Sequence, residues 1–304
     1  GLRLEVAAAQ RGALEFEADR VMPVVEDGSV VDLVVEKKNV ASEAVANMMI
    51  AANMANAKFL HQRGFPVFQR VVEAPERWDR MLQVAGEAAG KLPVGQSMEA
   101  QMSAFTSQPD PAALSAFLRE FKRRDPENYG AVSGSLLKLM GGGDYKVVEA
   151  GQALKGHFGQ GVRGGEEGYV HSTAPNRRLP DVIIQRLIKA VLRGESPPYS
   201  ITELQEIADH CNKQESAARG VEREMRKVAT GRYLETQVGQ EFNASITGVN
   251  PKKGVFLKVG DPPIEGKLAD VAPGLDVGDP VRVRLQRVDA ERGHIDFVLV
   301  SPVS

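Results

Sequence analysis

The sequence predicts an α+β chain in two parts, a mixed helical region over residues 1–237 and a small all-β barrel of five strands over residues 238–304. Three observations predict it. Apolar residues recur at helical spacing in several long segments before residue 235, and short alternating strands crowd the segment after Val238. A hydrophobic content of 42% in 304 residues is enough for more than one core.

Residues 2–35 contain RLEVAA, GALEFEA and SVVDLVVE, three segments suited to strands, with Asp27-Gly28 as a hairpin turn. From Ala41 to about Arg63 the apolar spacing is helical, and Gly64 supplies a stop; the alanines and Asn53 predict close packing, because small side chains let backbones approach. Pro66, Pro75 and Pro93 punctuate the next part, with further helices over 76–90 and 110–124. The second of these opens on an acidic cap and closes on Lys122, Arg123 and Arg124, charges that suit a helix C-terminus better than an RNA contact. Gly134 to Gly143 and Gly151 to Gly168 are glycine-rich and nonperiodic; no GxxxxGK[ST] pattern is present, which excludes a phosphate-binding loop of that kind.

Helices resume over Leu179 to Arg193 and from Thr202 to about Glu235, the latter with Thr202 and Gln205 as a capping box. The segments EFNASITGV, GVFLKV, IEGKL, DPVRVRLQRVD and HIDFVLV then supply the strands of a closed barrel, with the boundary near Gln237 to Gly239.

The net charge is -2, from 38 basic and 40 acidic side chains, so any polyanion site is regional. Arg177 to Arg232 carries 11 basic and 8 acidic residues, a balance that solvated helix faces also explain. The single cysteine, Cys211, excludes an internal disulfide framework. No apolar run approaches membrane-spanning length, and no signal-peptide pattern opens the chain, so a cytoplasmic protein without a membrane partner is expected. The chain opens directly on a structured segment and is expected to belong to a longer polypeptide.

On the second barrel strand, Phe256 and Lys258 face away from Val255 and Leu257. That pair suits a strip that stacks a base and contacts a phosphate, although packing of Phe256 beneath a loop fits the same pattern. None of the five histidines has metal-ligand spacing, so each reads as structural or surface, and no close group of aspartates suits two magnesium ions. From the residues alone, this is an RNA-binding protein with an uncertain enzyme attached.

The stretch VHSTAPNRRLPDVIIQRLIKAVL, Val170 to Leu192, places two arginines where a loop enters an amphipathic helix. The block Thr173 to Asp181 is close to T-S-P-I-R-[KR]-Y-x-D, and Gln185 to Val191 follows as an H-R-L-L-K-A-V-type helix. Arg11-Gly12-Ala13-Leu14, Met49 to Asn53 and His157 to Gly161 add R-G-A-L, M-I-A-A-N and H-F-G-x-G landmarks. With the barrel, these cover nearly the whole chain, which resembles the ribonuclease II/R (RNB) family of exoribonucleases followed by a C-terminal S1 barrel.

The resemblance implies a partial RNB catalytic domain over 1–237, an S1/OB-fold domain over 238–304, and processive 3′-to-5′ hydrolysis of single-stranded RNA to 5′ nucleoside monophosphates. It implies a monomer with RNA as its partner and Mg2+, or Mn2+ in its place, held by aspartates that precede R-G-A-L and lie outside this chain. Arg177 is then the catalytic arginine on the scissile phosphate, where a planar fork of donors holds an oxygen and stabilises charge. Arg178, Arg186, Phe65, Phe68, Phe256, Lys253, Lys258 and Lys267 are the RNA-contacting candidates, with a structural salt bridge as the competing reading for Arg178.

Departures from the family pattern are specific. Ala46 and Asn47 replace an acidic pair, Ala218 and Gly220 replace both acids of A-E-R-D-V, and Gln185 and Leu179 replace His and Tyr of the signature block. On the barrel, Lys253 replaces an aromatic and Ala269 stands near a usual histidine, while Lys252, Lys253, Lys258 and Lys267 can hold phosphates instead. The alternative function is therefore a catalytically inactive RNB-like RNA-binding or regulatory protein.

Overall fold

The computed structural model describes residues 2–16, 20–36, 39–92, 96–250, 254–260, 264–269, 274–275 and 279–302. The described chain opens on helix α1 (Leu2–Arg11), not the strand that RLEVAA suggests: Ala7 to Ala9 favour helix, and local propensity wins where no strand partner lies among the described residues. The described part of GALEFEA is not a strand either: it is irregular, and its Leu14 donates its backbone N–H to the Gly159 carbonyl at 3.0 Å and packs with Phe16 on a helical core. The hairpin follows as expected, β1 (Arg20–Glu26) paired antiparallel with β2 (Ser29–Glu36). Asp27 and Gly28 turn it at φ 47° and 77°, the left-handed pair that a two-residue hairpin of this twist requires.

Helix α2 (Val40–Gln62) carries a capping box between Asn39 and Ser42 and stops before Gly64. Strand β3 (Val67–Val71) is central: all five residues are buried, β4 (Asp144–Val148) pairs on one side, and residues 169–170 bridge to it on the other. Between these strands lie α3 (Trp78–Gly90), α4 (Gln96–Ser103), α5 (Pro111–Arg124) and α6 (Pro126–Leu139). The caps explain the last two. Asp110 accepts the Ala112 N–H at 2.9 Å and Asp125 accepts the Asn128 N–H at 3.1 Å, each just before a proline whose missing donor costs nothing there. Helix α6 replaces part of the expected nonperiodic segment because Tyr129, Ser133 and Leu136 share a buried face, while Gly130 and Gly134 meet nothing within 4 Å. Lys122 pairs with Glu15, and Arg123 and Arg124 both pair with Glu120, a structural use of all three cations.

The glycine-rich segment after β4 is irregular, with one 3-10 turn over Phe158–Gln160 ending on Gly161. That glycine is at φ 65°, and a Cβ there would lie 2.4 Å from the Arg11 carbonyl oxygen. Helix α7 (Leu179–Arg193) ends on Gly194, and α8 (Ile201–Leu234) follows. The cap of α8 is Ser200 with Glu203, two residues before the expected Thr202 and Gln205: the Ser200 N–H donates to Glu203 at 2.8 Å and the Glu203 N–H to the Ser200 hydroxyl at 3.2 Å.

Strands β5 (Glu241–Asn250), β6 (Gly254–Val259), β7 (Ile264–Leu268), β8 (Pro280–Asp289) and β9 (His294–Pro302) close in the order β5-β6-β7-β9-β8, antiparallel except for β7 with β9. Their alternation turns Ile246, Leu257, Val283, Leu285 and Phe297 inward. Gly266 makes the room, since a Cβ there would meet the Phe297 ring at 2.4 Å. The architecture is thus mixed α and β with a five-stranded closed barrel at the C-terminal end.

By compactness the chain divides into Gly1–Ala18 with Lys38–Glu215, and Asp19–Lys37 with Ser216–Ser304. The second unit has one core, in which Leu33 of the hairpin and Leu234 of α8 join the barrel interior. The first has two: Trp78, Phe117, Phe121, Tyr129 and neighbours among α3 to α6, and a second formed by α2, β3, β4, α7 and α8 around Phe68, Ile184 and Leu187.

Phe68, an RNA-contacting candidate from the sequence, is fully buried in that second core with its ring 5.5 Å from the Tyr145 ring. It belongs to the core because β3 is covered on both faces, and it offers no surface to a base. Phe68→Ala is expected to destabilise the first unit by about 3–5 kcal/mol, read as a lower urea midpoint; an unchanged midpoint contradicts this packing.

Candidate functional site

The loop before α7 leaves the central sheet at residues 169–170 and is held from two helices. Asn53 of α2 is 1% exposed; its side-chain oxygen accepts the Ser172 N–H at 2.9 Å and the Ser172 hydroxyl at 2.8 Å, and its amide donates to the Tyr169 hydroxyl at 3.2 Å. Asn56, one helical step away, donates to the Ser172 hydroxyl at 2.8 Å. From α7, Gln185 donates to the Ser172 carbonyl at 2.8 Å. Each polar group of Ser172 is therefore satisfied inside the protein, which fixes where the following residues start.

Asp181 shapes the rest. It occupies the first turn of α7, where a carboxylate is favoured by the helix dipole, and it is 0% exposed. One of its oxygens accepts both the Ala174 N–H and the Arg178 Nη2 at 2.8 Å. The Ala174 carbonyl in turn accepts the N–H groups of Arg177 and Arg178. The two adjacent arginines thus have different tasks. Arg178, an RNA-contacting candidate, is committed to a buried carboxylate, so the salt-bridge reading is the one its geometry supports. Arg177 is exposed and has no acid partner among the described residues. Arg186 lies on the exposed face of α7 and donates to the Tyr199 hydroxyl at 2.7 Å. Phe65 is half-buried against the core that holds Phe68.

Behind the loop lies a polar aromatic cluster that the sequence did not suggest. Arg70 makes a two-pronged pair with Glu215 of α8, at 2.6 and 2.9 Å, and its guanidinium sits 4.7 Å from the centre of the Tyr145 ring. The Tyr145 hydroxyl is 2.8 Å from His171 Nδ1. The Tyr169 ring stands edge to face with both His171, at 5.7 Å, and His157, at 4.9 Å. Burial pushes the Tyr145 phenol up to about 12 and raises Tyr169. Burial first, then the positive charges of Arg178, Arg70 and, after His157, Arg177, pushes His171 down to about 3; burial chiefly pushes His157 down to about 4. Both imidazoles are neutral at pH 7.

The barrel presents a second candidate surface. Phe256 is 38% exposed and lies directly opposite Lys267, itself exposed, while Lys258 lies between Ser245 and Glu265. Beside them on β5 and β8, Arg282 and Arg284 both bind Glu241, at 3.1 and 3.2 Å, and their donated hydrogen bonds hold its carboxyl below the usual range. Lys253 lies outside the described residues.

A family model described as the RNB domain matches residues 3–194, and one described as the RNase II-type exonuclease C-terminal S1 domain matches residues 240–300. The chain belongs to the RNB family. It is 28% identical to ribonuclease R of Aquifex aeolicus over 317 residues, covering 96% of this chain and 42% of that protein. It is 29% identical to ribonuclease R of Thermotoga maritima over 328 residues, covering 98% and 43%. The chain therefore spans less than half the length of these relatives. In fold it is similar to Mycoplasma genitalium RNase R in complex with ribose-methylated single-stranded RNA, with TM-score 0.79 and 20% identity over 98% of this chain and 48% of that one. It is also similar to yeast Ssd1, a pseudonuclease, with TM-score 0.53 and 15% identity over 93% and 33%.

In this RNB chain, no group of three or more His, Cys, Asp or Glu side chains among the described residues can hold a metal ion. Where the family pattern has acids, α8 carries Ala218, which is exposed, and Gly220. The donors among the described residues do not fit a divalent cation.

Asp181→Asn keeps the size of the side chain and removes the charge facing Arg178. It is expected to cost about 1.5–3 kcal/mol by chemical denaturation, as for other hydrogen bonds to charged groups; a cost near zero contradicts the role given to Asp181. His171 in the folded chain is held below its ordinary value of 6.5, so below that pH the unfolded chain takes up a proton that the folded chain refuses. The His171 contribution is full above about 6.5 and is lost as pH falls toward about 3. Thermal midpoints should drop from pH 7 to pH 4, and the drop should be smaller in His171→Gln.

Proposed function

We propose that the chain is the RNA-gripping part of a processive 3′-to-5′ exoribonuclease that hydrolyses single-stranded RNA to 5′ nucleoside monophosphates. One observation carries the reading: Arg177 is the exposed member of an arginine pair whose other member is fixed to Asp181, on a loop with little freedom to move. A guanidinium without an acid partner among the described residues, held by a preformed loop, offers two parallel donors to a phosphate and needs no rearrangement when charge builds on its oxygens.

In the net reaction, a water oxygen bonds to the terminal phosphorus and the bond from phosphorus to the 3′ oxygen breaks. That oxygen leaves with a proton as the new 3′ hydroxyl. Arg177 holds a nonbridging oxygen throughout. Arg178 and Asp181 position the loop, and Pro175 restricts its entry. Mg2+, or Mn2+ in its place, would be held by residues outside this chain. Phe256, Lys258 and Lys267 supply a base-stacking and phosphate-tracking surface on the barrel, with Lys253 as a further candidate, and Arg186 and Phe65 remain candidates on the first unit. The protein works as a cytoplasmic monomer; no described helix is long and apolar enough to cross a membrane.

The second reading is a catalytically inactive RNA-binding or regulatory protein. Alanine and glycine at residues 218 and 220 favour it, since neither side chain can replace a carboxylate.

The full-length protein with a 5′-labelled, 3′-tailed RNA separates the two. Shortening from the 3′ end that needs divalent metal and stops in EDTA supports the nuclease. Tight binding with an intact RNA supports the silent protein. In the active case Arg177→Ala is expected to lower turnover by about 10²–10³ without lowering the melting temperature, and full turnover in that variant removes Arg177 from the mechanism.

A further inference from the structure

We infer that His171 is an RNA-contacting residue, a neutral imidazole that donates its Nε2–H to a nonbridging phosphate oxygen beside Arg177. The inference rests on the reading of the Arg177 loop as an RNA site and adds to it a second donor, of a different kind.

The direction of one hydrogen bond fixes the tautomer. The Tyr145 hydroxyl is largely buried and has His171 Nδ1, at 2.8 Å, as its partner. A buried hydroxyl hydrogen left without an acceptor is costly, so Tyr145 donates and Nδ1 accepts. The hydrogen of the neutral ring is then on Nε2. That atom has no hydrogen-bond partner among the described residues, and the residue is half-buried, not enclosed. The ring cannot turn freely: Tyr145 and Tyr169 stand edge to face with it at 5.7 Å on each contact, and Tyr145 is itself held beneath Arg70, which Glu215 clamps.

The surroundings select an anion. Three arginines act on His171, two of them paired, Arg70 with Glu215 and Arg178 with Asp181, whereas Arg177 has no acid partner among the described residues. The local field is positive, and a donor that carries no charge adds a directed hydrogen bond without adding to the repulsion among cations. A phosphate between the Arg177 fork and the His171 edge satisfies both.

The test uses the full-length protein and a 5′-labelled oligouridylate, with affinity read by fluorescence anisotropy in EDTA. His171→Ala is expected to weaken binding by about ten- to a hundredfold, a typical loss for one hydrogen bond to a charged group. His171→Gln, which keeps an N–H donor at similar reach, should recover most of it. In the free protein, nitrogen-resolved NMR of the histidines should show His171 as the Nε2–H tautomer at pH 7. Tyr145→Phe should weaken binding by releasing Nδ1–H as an alternative, and it carries the test if His171→Ala does not fold. Wild-type affinity in His171→Ala with weakened Arg177→Ala overturns the inference and leaves the RNA site standing. Wild-type affinity in both overturns the two together. A glutamine variant as weak as the alanine one, or an Nδ1–H tautomer, shows that His171 serves packing alone.

Discussion

A carboxylate with no contact to solvent governs the candidate site. Asp181 has to be paired, because an isolated buried charge is far too costly to keep. Its partners are a backbone N–H at Ala174 and the guanidinium of Arg178, and satisfying both bends the loop into one shape. The same bend leaves Arg177 outside. Residues far away in sequence serve this geometry: Asn53 and Asn56 of α2 and Gln185 of α7 take up every polar group of Ser172, so the loop begins from a fixed point. Asn53 is buried for that reason, and the small side chains around it on α2 let the helix come close enough.

Charge balance explains the neutral histidines. Cations surround the cluster behind the loop, and Glu215 and Asp181 offset two of them. Protonating His171 or His157 would add a further positive charge in a place already short of water, so both rings stay neutral well below pH 7. Neutral rings pack edge to face with Tyr145 and Tyr169 and remain able to donate or accept single hydrogen bonds. The cluster is a rigid polar platform whose only uncompensated cation among these groups is the exposed one.

The barrel follows a different logic. Its alternation sends one residue of every two inward, and the outward set carries Phe256, Lys258, Lys267, Arg282 and Arg284 on neighbouring strands. The arginines are tied to Glu241, which leaves an aromatic ring opposite a lysine as the distinctive pair on β6 and β7. Such a surface suits a flexible strand of any sequence, since stacking and charge both ignore base identity. The missing acids on α8, by contrast, bear on chemistry and not on fold: the helix and the cores form without them.

Elements with a strong local signal were legible in the sequence. The Asp27-Gly28 turn, α2, α5, α7 and the five barrel strands follow from period, caps and turn residues, and the block around Arg177 carried the family. Elements that depend on a distant partner were not legible. Alternation at residues 3–8 gave way to helix because no strand lies beside it among the described residues, α6 formed through two helical glycines because Tyr129 and Leu136 had a core to enter, and Phe68 went inside because β3 is covered on both faces. By itself the sequence determined a mixed helical region followed by five short barrel strands, and the presence of two arginines at a helix mouth, since both depend on neighbours a few residues apart. Only the tertiary structure decided which arginine is bound to Asp181 and which is exposed. It also joined His171 to Tyr145, because pairings across many tens of residues are set by how helices and strands pack and leave no pattern along the chain.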